Sequence, residues 1–244
     1  MKILLAPAET KIKGGDSLPY NKNNFYFKSF HNLRDEIVNE YEQLLKNSSI
    51  EELSKWFGLK NLKECERYAK SILTKPTIKA IRRYTGVAFE ALGYELLSKS
   101  EQQYCDNNVI LFSNLFGVLK ADDLIPDYKF KQGNELSNID VIKRYKEDIK
   151  LELDTYLKDE VIDLRAGFYD KFYKPTAPTI TYKFLKDGKV VSHWAKYYRG
   201  LLVKALAQNN ITSFAELMNL NIDGLKLIEI QEKKNVKTFI MEIK

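Results

Sequence analysis

The stretch Ile139–Leu164, IDVIKRYKEDIKLELDTYLKDEVIDL, decides the architecture. Ile139, Ile142, Tyr145, Ile149, Leu153 and Tyr156 recur at spacings of three and four, so they line one face of a long amphipathic helix. After a polar break, Val161-Ile162-Asp163-Leu164 is a short apolar run of the length of a buried strand. A helix with one face to bury, next to a buried strand, implies helices layered on a sheet.

The same alternation extends outward in both directions. Ile3–Ala6 and Val109–Phe112 have the character of buried strands. Leu33, Ile37, Val38, Tyr41, Leu44 and Leu45 recur at helical spacing behind Asn32, a plausible cap. A second helix is expected from Ile50 to Gly58, a third over Leu62–Leu73, and a fourth opened by Pro76 and running to Tyr84. Val87–Leu97 is read as helix, as is Ala195–Gln208. Thr179–Lys186 and Lys189–Trp194 flank Asp187-Gly188, a dipeptide that tolerates the positive φ angles of a tight hairpin turn. Ser213-Phe214-Ala215-Glu216 has capping-box spacing, and Leu225–Ile230 with Thr238–Ile243 suit a closing pair of strands. The expectation is a mixed α/β fold, one domain over residues 1–244, with a central β-sheet flanked by helices.

The chain has 244 residues and is 44% hydrophobic, enough for a sizeable core. Cys65 and Cys105 stand forty positions apart without metal-ligand spacing, which fits a reduced compartment and packing roles. No stretch approaches the roughly twenty apolar residues of a membrane span, and the apolar run at the start ends at Pro7. A cytoplasmic protein without a membrane partner is expected. With only His31 and His193, there is little material for triad or zinc chemistry, and no cofactor or metal is called for.

Charge is distributed unevenly. Residues 171–204 hold eight basic side chains against Asp187 alone, net +7 in a chain whose total is +6. Seven aromatics lie among them: Phe172, Tyr173, Tyr182, Phe184, Trp194, Tyr197 and Tyr198. Clustered cations with interleaved rings suit a polyanion, because cations displace condensed counterions from phosphates and rings stack on or wedge between bases. Three further segments carry potential chemistry. Trp56–Lys63 joins two helical patterns through Gly58, the outline of a helix-hairpin-helix over residues 50–73 with Lys60 and Lys63 beside the turn; an ordinary helix ended by an αL glycine reads the same way. Lys79, Arg82 and Arg83, if helical, share one face. Asp123, Asp127 and Lys129, after the Val109 strand, form either a metal-binding or general-base cluster or a structural turn.

In order along the chain, these segments resemble the peroxide stress resistance protein YaaA family. Leu5-Ala6-Pro7-Ala8-Glu9-Thr10 resembles its Ser-Pro-Ala-Lys-Thr opening, and Tyr84-Thr85-Gly86 its Tyr-Thr-Gly element. Leu115–Lys120, with Asp123-Leu124, Tyr128-Lys129 and Gly133, resembles the family's Leu-Tyr-Gly-Val-Leu-Arg block and its continuation. Tyr169, Lys171, Lys174 and Pro175 match a Tyr-x-Lys-x-x-Lys-Pro stretch, and Ala195-Lys196 with Arg199-Gly200 its Ala-Lys and Arg-Gly pair. The resemblance runs from residue 4 to about 217. It departs at Glu9, where the family has lysine and where Lys11 or Lys13 is left to compensate, and at Asn114, where a glycine is usual. Lys120 and Lys129 replace arginines, which keeps the charge but loses the bidentate fork.

The resemblance implies a helix-hairpin-helix, a positively charged cleft, binding of duplex DNA and a role in limiting iron-driven damage under hydrogen peroxide. The DNA contacts expected are Lys60, Arg83, Lys120, Lys129, Lys171, Lys174, Lys196 and Arg199, with Gly58 at the hairpin turn. Double-stranded or structured DNA is the expected partner, recognised by shape. The alternative is an enzyme acting on nucleic acid or a phosphorylated substrate in the same cleft, with Asp123 and Asp163 supplying acid–base or metal chemistry.

Overall fold

A computed structural model describes residues 1–137, 139–165 and 167–244. In chain order its elements are β1 (Lys2–Leu5), β2 (Ser17–Pro19), α1 (His31–Asn47), α2 (Ile50–Phe57), α3 (Leu62–Tyr68), β3 (Pro76–Lys79), α4 (Ala80–Arg83) and α5 (Val87–Leu92). There follow α6 (Lys99–Asn108), β4 (Val109–Ser113), β5 (Gly117–Lys120), β6 (Leu124–Pro126), α7 (Val141–Tyr156) and β7 (Val161–Leu164). The remainder is β8 (Thr179–Lys186), β9 (Lys189–Val190), α8 (His193–Gln208), α9 (Phe214–Leu217), β10 (Leu225–Lys233) and β11 (Val236–Ile243).

Eight strands form one mixed sheet in the order β10-β11-β8-β7-β1-β4-β5, with β9 hairpinned onto β8. β1 is parallel to both β4 and β7, β7 is parallel to β8, and β8 is parallel to β11. β5 and β10 close the two edges antiparallel. A small antiparallel sheet, β2-β3-β6, lies apart from it. The mixed α/β expectation holds, and so do the buried strands at β1, β4 and β7, which carry almost no exposed surface. α7 buries Val141, Tyr145, Ile149 and Leu153, as its apolar stripe requires, and Asp140 caps it by accepting from the Lys143 amide. The β8–β9 hairpin turns at Asp187 and Gly188, both at positive φ (51° and 71°).

Several local expectations are corrected. Pro76 opens a strand, not a helix: Thr77 and Ile78 are buried against β2 and β6, and the helix begins only at Ala80. Lys79, Arg82 and Arg83 therefore do not form a helical ridge. α1 starts at His31 directly from a 3₁₀ turn, without a side-chain cap from Asn32. α3 stops at Tyr68, α5 stops at Gly93, and β9 ends at Val190 so that α8 can begin at His193. Gly117–Lys120, for which no strand was expected, is a fully buried edge strand.

The helix-hairpin-helix is not shown. α2 does end at Gly58 in the αL conformation, φ 67°. But α3 has seven residues, and its first amides are already satisfied: Lys63 N donates to the Asn61 side chain, and Glu64 N and Cys65 N donate to the Asn61 carbonyl. A phosphate-binding hairpin needs those donors unpaired.

Candidate functional site: a cation-rimmed crevice at the strand ends

β4 and β7 flank β1 on opposite sides and run parallel to it, so the strand order reverses at β1. Open α/β sheets have a crevice beyond the carboxyl ends of the strands at such a point. Here it is a cavity of about 360 Å³, bounded by Leu5 and the Ala6–Thr10 loop, by Leu164, by Tyr169, by the Thr85–Phe89 segment, and by Lys196 and Arg199 of α8.

The walls follow from local structure. Thr85 N donates to Thr10 O and Ile12 N to Arg83 O, both at 3.0 Å, which pins the loop after β1 against the entry to α5. α8 crosses α5 at Gly200, where a Cβ would stand 1.9 Å from the Ala88 carbonyl oxygen. That close approach brings Lys196 and Arg199, on the same helix face as Gly200, to the rim. Burial holds the Arg199 guanidinium below its usual pKa, against the opposing charges of Asp163 and Asp170.

From the exposed Glu9 of this loop a polar network runs inward to buried groups. Glu9 Oε2 accepts from Lys129 Nζ at 3.1 Å and Glu9 Oε1 from Gln132 N at 3.0 Å. Burial works to raise the Glu9 pKa, but these hydrogen bonds and the Lys129 charge prevail and hold it below the usual carboxylate range. Lys11 Nζ sits 4.3 Å from the centre of the Tyr128 ring and 5.2 Å from that of Tyr84. Its hydrogen bonds are weak, 3.5 Å to the carbonyls of Ala8 and Glu9. The hydroxyls of Tyr84, Tyr128 and Ser113 form a buried chain with links of 2.8 and 2.7 Å, and Ser113 Oγ accepts from the amides of Leu115 and Phe116.

Burial, then Lys129, lowers the Lys11 pKa to about 7 from 10.5. A depressed folded-state value means that the unfolded chain binds the extra proton between pH 7 and 10.5, so this contribution to stability grows as pH rises and is lost as pH falls through 7. Wild-type unfolding free energy in urea is expected to rise between about pH 7 and pH 9, and Lys11→Met to show a clearly smaller rise. Equal slopes in the two proteins would remove Lys11 as the source.

The structure gathers some of the sequence-selected residues and separates others. Lys196 and Arg199 rim the crevice, and Lys129 lies behind it, tied to Glu9. Lys171 and Lys174 line a neighbouring groove of about 670 Å³ together with Lys143, Lys146 and Lys150 of α7. Residues 168–172 border both, since Tyr169 lines the crevice and Lys171 and Phe172 the groove. Lys60 is exposed beside the α2 terminus, where Gly58 abuts Lys131, the neighbour of Gln132 on the crevice wall.

Arg83 does not line this cleft. It is fully buried and donates to the carbonyls of Ile12, Ile125 and Pro76. Lys120 is also elsewhere: it pairs with Ile110 near the start of β4, at the amino-terminal end of the parallel strands, with its ammonium over the Tyr26 ring and beside Asp122. The acidic residues are each engaged by protein donors. Asp123 accepts from the amides of Tyr26 and Lys120, both at 2.8 Å, and burial pushes its pKa up to about 6. Asp127 is held by Arg67, and Asp163 by Arg165 through both oxygens. The α7 lysines were missed because that helix was read for its apolar stripe; their spacing of three and four, beside the stripe, was the available signal.

Fold and crevice together define a mixed α/β protein with a cation-rimmed cleft at the carboxyl ends of its central parallel strands. The family model for the peroxide stress protein YaaA matches residues 1–231. An uncharacterized protein of Campylobacter jejuni is 44% identical over 100% of this chain and 99% of its own length. A UPF0246 protein of Corynebacterium efficiens is 30% identical over 99% of this chain and all of its own, and one of Fusobacterium nucleatum is 26% identical over 96% of this chain and 97% of its own. The chain belongs to the peroxide stress protein YaaA family. Among the described residues, no helix is long and apolar enough to cross a membrane.

Proposed function

We propose that the protein binds duplex DNA through its phosphates and acts in the response to hydrogen peroxide by limiting iron-driven damage to the bound DNA. Family membership supports the stress role. The observation that carries the DNA reading is the groove between α7 and residues 170–174. Among the described residues, Lys143, Lys146, Lys171 and Lys174 make no ion pair there, and Lys150 pairs with Asp154 at 2.8 Å. Asp140 and Asp170 are the groove's carboxylates. Lys196, exposed at the mouth of the adjoining crevice, extends the positive track. Such a surface grips backbone and reads shape, since phosphate contacts position a protein without reading base edges.

The test is the salt dependence of duplex binding, followed by fluorescence anisotropy. Neutralising about five phosphates makes affinity fall about 10²–10³-fold between roughly 50 and 200 mM salt. An affinity indifferent to salt would overturn the proposal.

A further inference from the structure

We propose that the crevice at the ends of β1 and β7 is a binding site for a small phosphomonoester with a flat apolar body, of the size and chemistry of a nucleoside monophosphate. This is a second site, distinct from the α7 groove.

The first support is Arg199. Arg34, Arg67, Arg82, Arg83, Arg144 and Arg165 each place their guanidinium on two or more hydrogen-bond acceptors. Among the described residues, Arg199 alone makes none, although it is only half exposed at the crevice. The Arg199 guanidinium rests over the Phe184 ring, 6.0 Å from its centre, and a ring face leaves its N–H donors unmet. A partly desolvated guanidinium without a hydrogen-bond acceptor is unfavourable, and an anion with acceptor oxygens relieves that cost. The second support is the charge balance. Lys196 and Arg199 supply two positive charges, while Glu9, the carboxylate of the lining, is spent on Lys129 and Gln132. Asp163, near Arg199, is likewise committed to Arg165, which leaves exposed Asp170 as the acid that attenuates the site. Two cations, attenuated by one exposed carboxylate, suit a phosphate dianion.

The third support is position and shape. The crevice lies where the strand order reverses, the place where open α/β sheets take ligands. Its volume, about 360 Å³, falls within the range of small-molecule sites. The backbones of Thr10 and Thr85 are joined by a hydrogen bond and both residues line the crevice; their hydroxyls have no hydrogen-bond partner among the described residues and can donate to phosphate oxygens. Pro7, Ala8, Val87 and Phe89 provide an apolar surface for the body of the ligand. A polymer that met only the groove lysines would leave this pairing of cations with an apolar recess unused.

The experiment is calorimetric titration of the intact protein with adenosine 5′-monophosphate, adenosine and inorganic phosphate, with duplex binding measured in parallel. Adenosine 5′-monophosphate is expected to bind saturably and more tightly than either fragment. Arg199→Gln and Lys196→Gln should each weaken it about tenfold or more, the usual scale for losing a charge-assisted hydrogen bond. Lys196 is exposed, so its variant reports on binding even if Arg199→Gln folds poorly. Lys174→Glu should weaken duplex binding and leave the nucleotide unaffected. The proposal falls if the nucleotide does not saturate at millimolar concentration, or if both crevice variants bind it as wild type does. It also falls if Lys174→Glu weakens nucleotide and duplex alike, which would place the nucleotide in the groove. Absence of duplex binding with nucleotide binding intact would refute the DNA reading alone.

Discussion

Gly200→Ala is expected to destabilise the protein by about 3 kcal/mol or more, lowering Tm by roughly 10 °C for a chain of this size. The added methyl would stand 1.9 Å from the Ala88 carbonyl oxygen, and the obstacle is backbone, which cannot rotate aside. Relief requires α8 to move away from α5. That movement alters the crevice, because both helices line it. Two readouts should therefore change together: thermal unfolding, and the affinity for adenosine 5′-monophosphate measured well below the new Tm. Gly167→Ala is the control, since nothing lies within 4 Å of the atom it adds. A Gly200→Ala protein with wild-type Tm would show that the α5–α8 crossing is looser than its geometry implies.

The charge-reversed pair Lys171→Glu/Lys174→Glu is expected to lower duplex affinity on the order of a hundredfold or more and to reduce the salt slope by about 2. Both side chains are exposed and make no ion pair among the described residues, so folding should change by no more than about 0.5 kcal/mol. The reversal also sets two carboxylates among Lys143, Lys146 and Lys150, which neutralises cations that remain. Anisotropy at two salt concentrations checks both numbers. Unchanged affinity would move the DNA contact away from this groove.

The sequence disclosed those parts of the fold whose pattern is long or chemically unambiguous. α7 has a full stripe of apolar positions, β4 opens on four consecutive apolar residues, β7 is apolar at three of its four positions, and Asp187-Gly188 has little option but a tight turn. Pro76–Lys79 misled because four residues cannot show a period and proline opens helices and strands alike. β5 was concealed by its glycine and terminal lysine, which in isolation resemble a turn.

The site was legible as composition but not as placement. Residues 79–83 look like an exposed basic face, yet each cation finds its partner far along the chain: Lys79 at Asp106, Arg82 at Asp16 and Glu95, Arg83 at the carbonyls of Ile12 and Ile125. Nothing local signals such pairing. Lys196 and Arg199 were selected as charges, but their setting depends on the contact of Gly200 with Ala88, which only the packed helices reveal. Glu9 is met by Lys129 at 3.1 Å, while Lys11 stands against the Tyr128 ring and Lys13 is exposed.

The hydroxyl chain of Tyr84, Tyr128 and Ser113 has a spectroscopic consequence. Phenolic protons usually vanish from proton NMR spectra because water replaces them faster than they can be observed. Those of Tyr84 and Tyr128 are held in short hydrogen bonds by residues each only 2% exposed. They should persist as discrete downfield resonances, a native label seated directly behind the loop that forms the crevice wall.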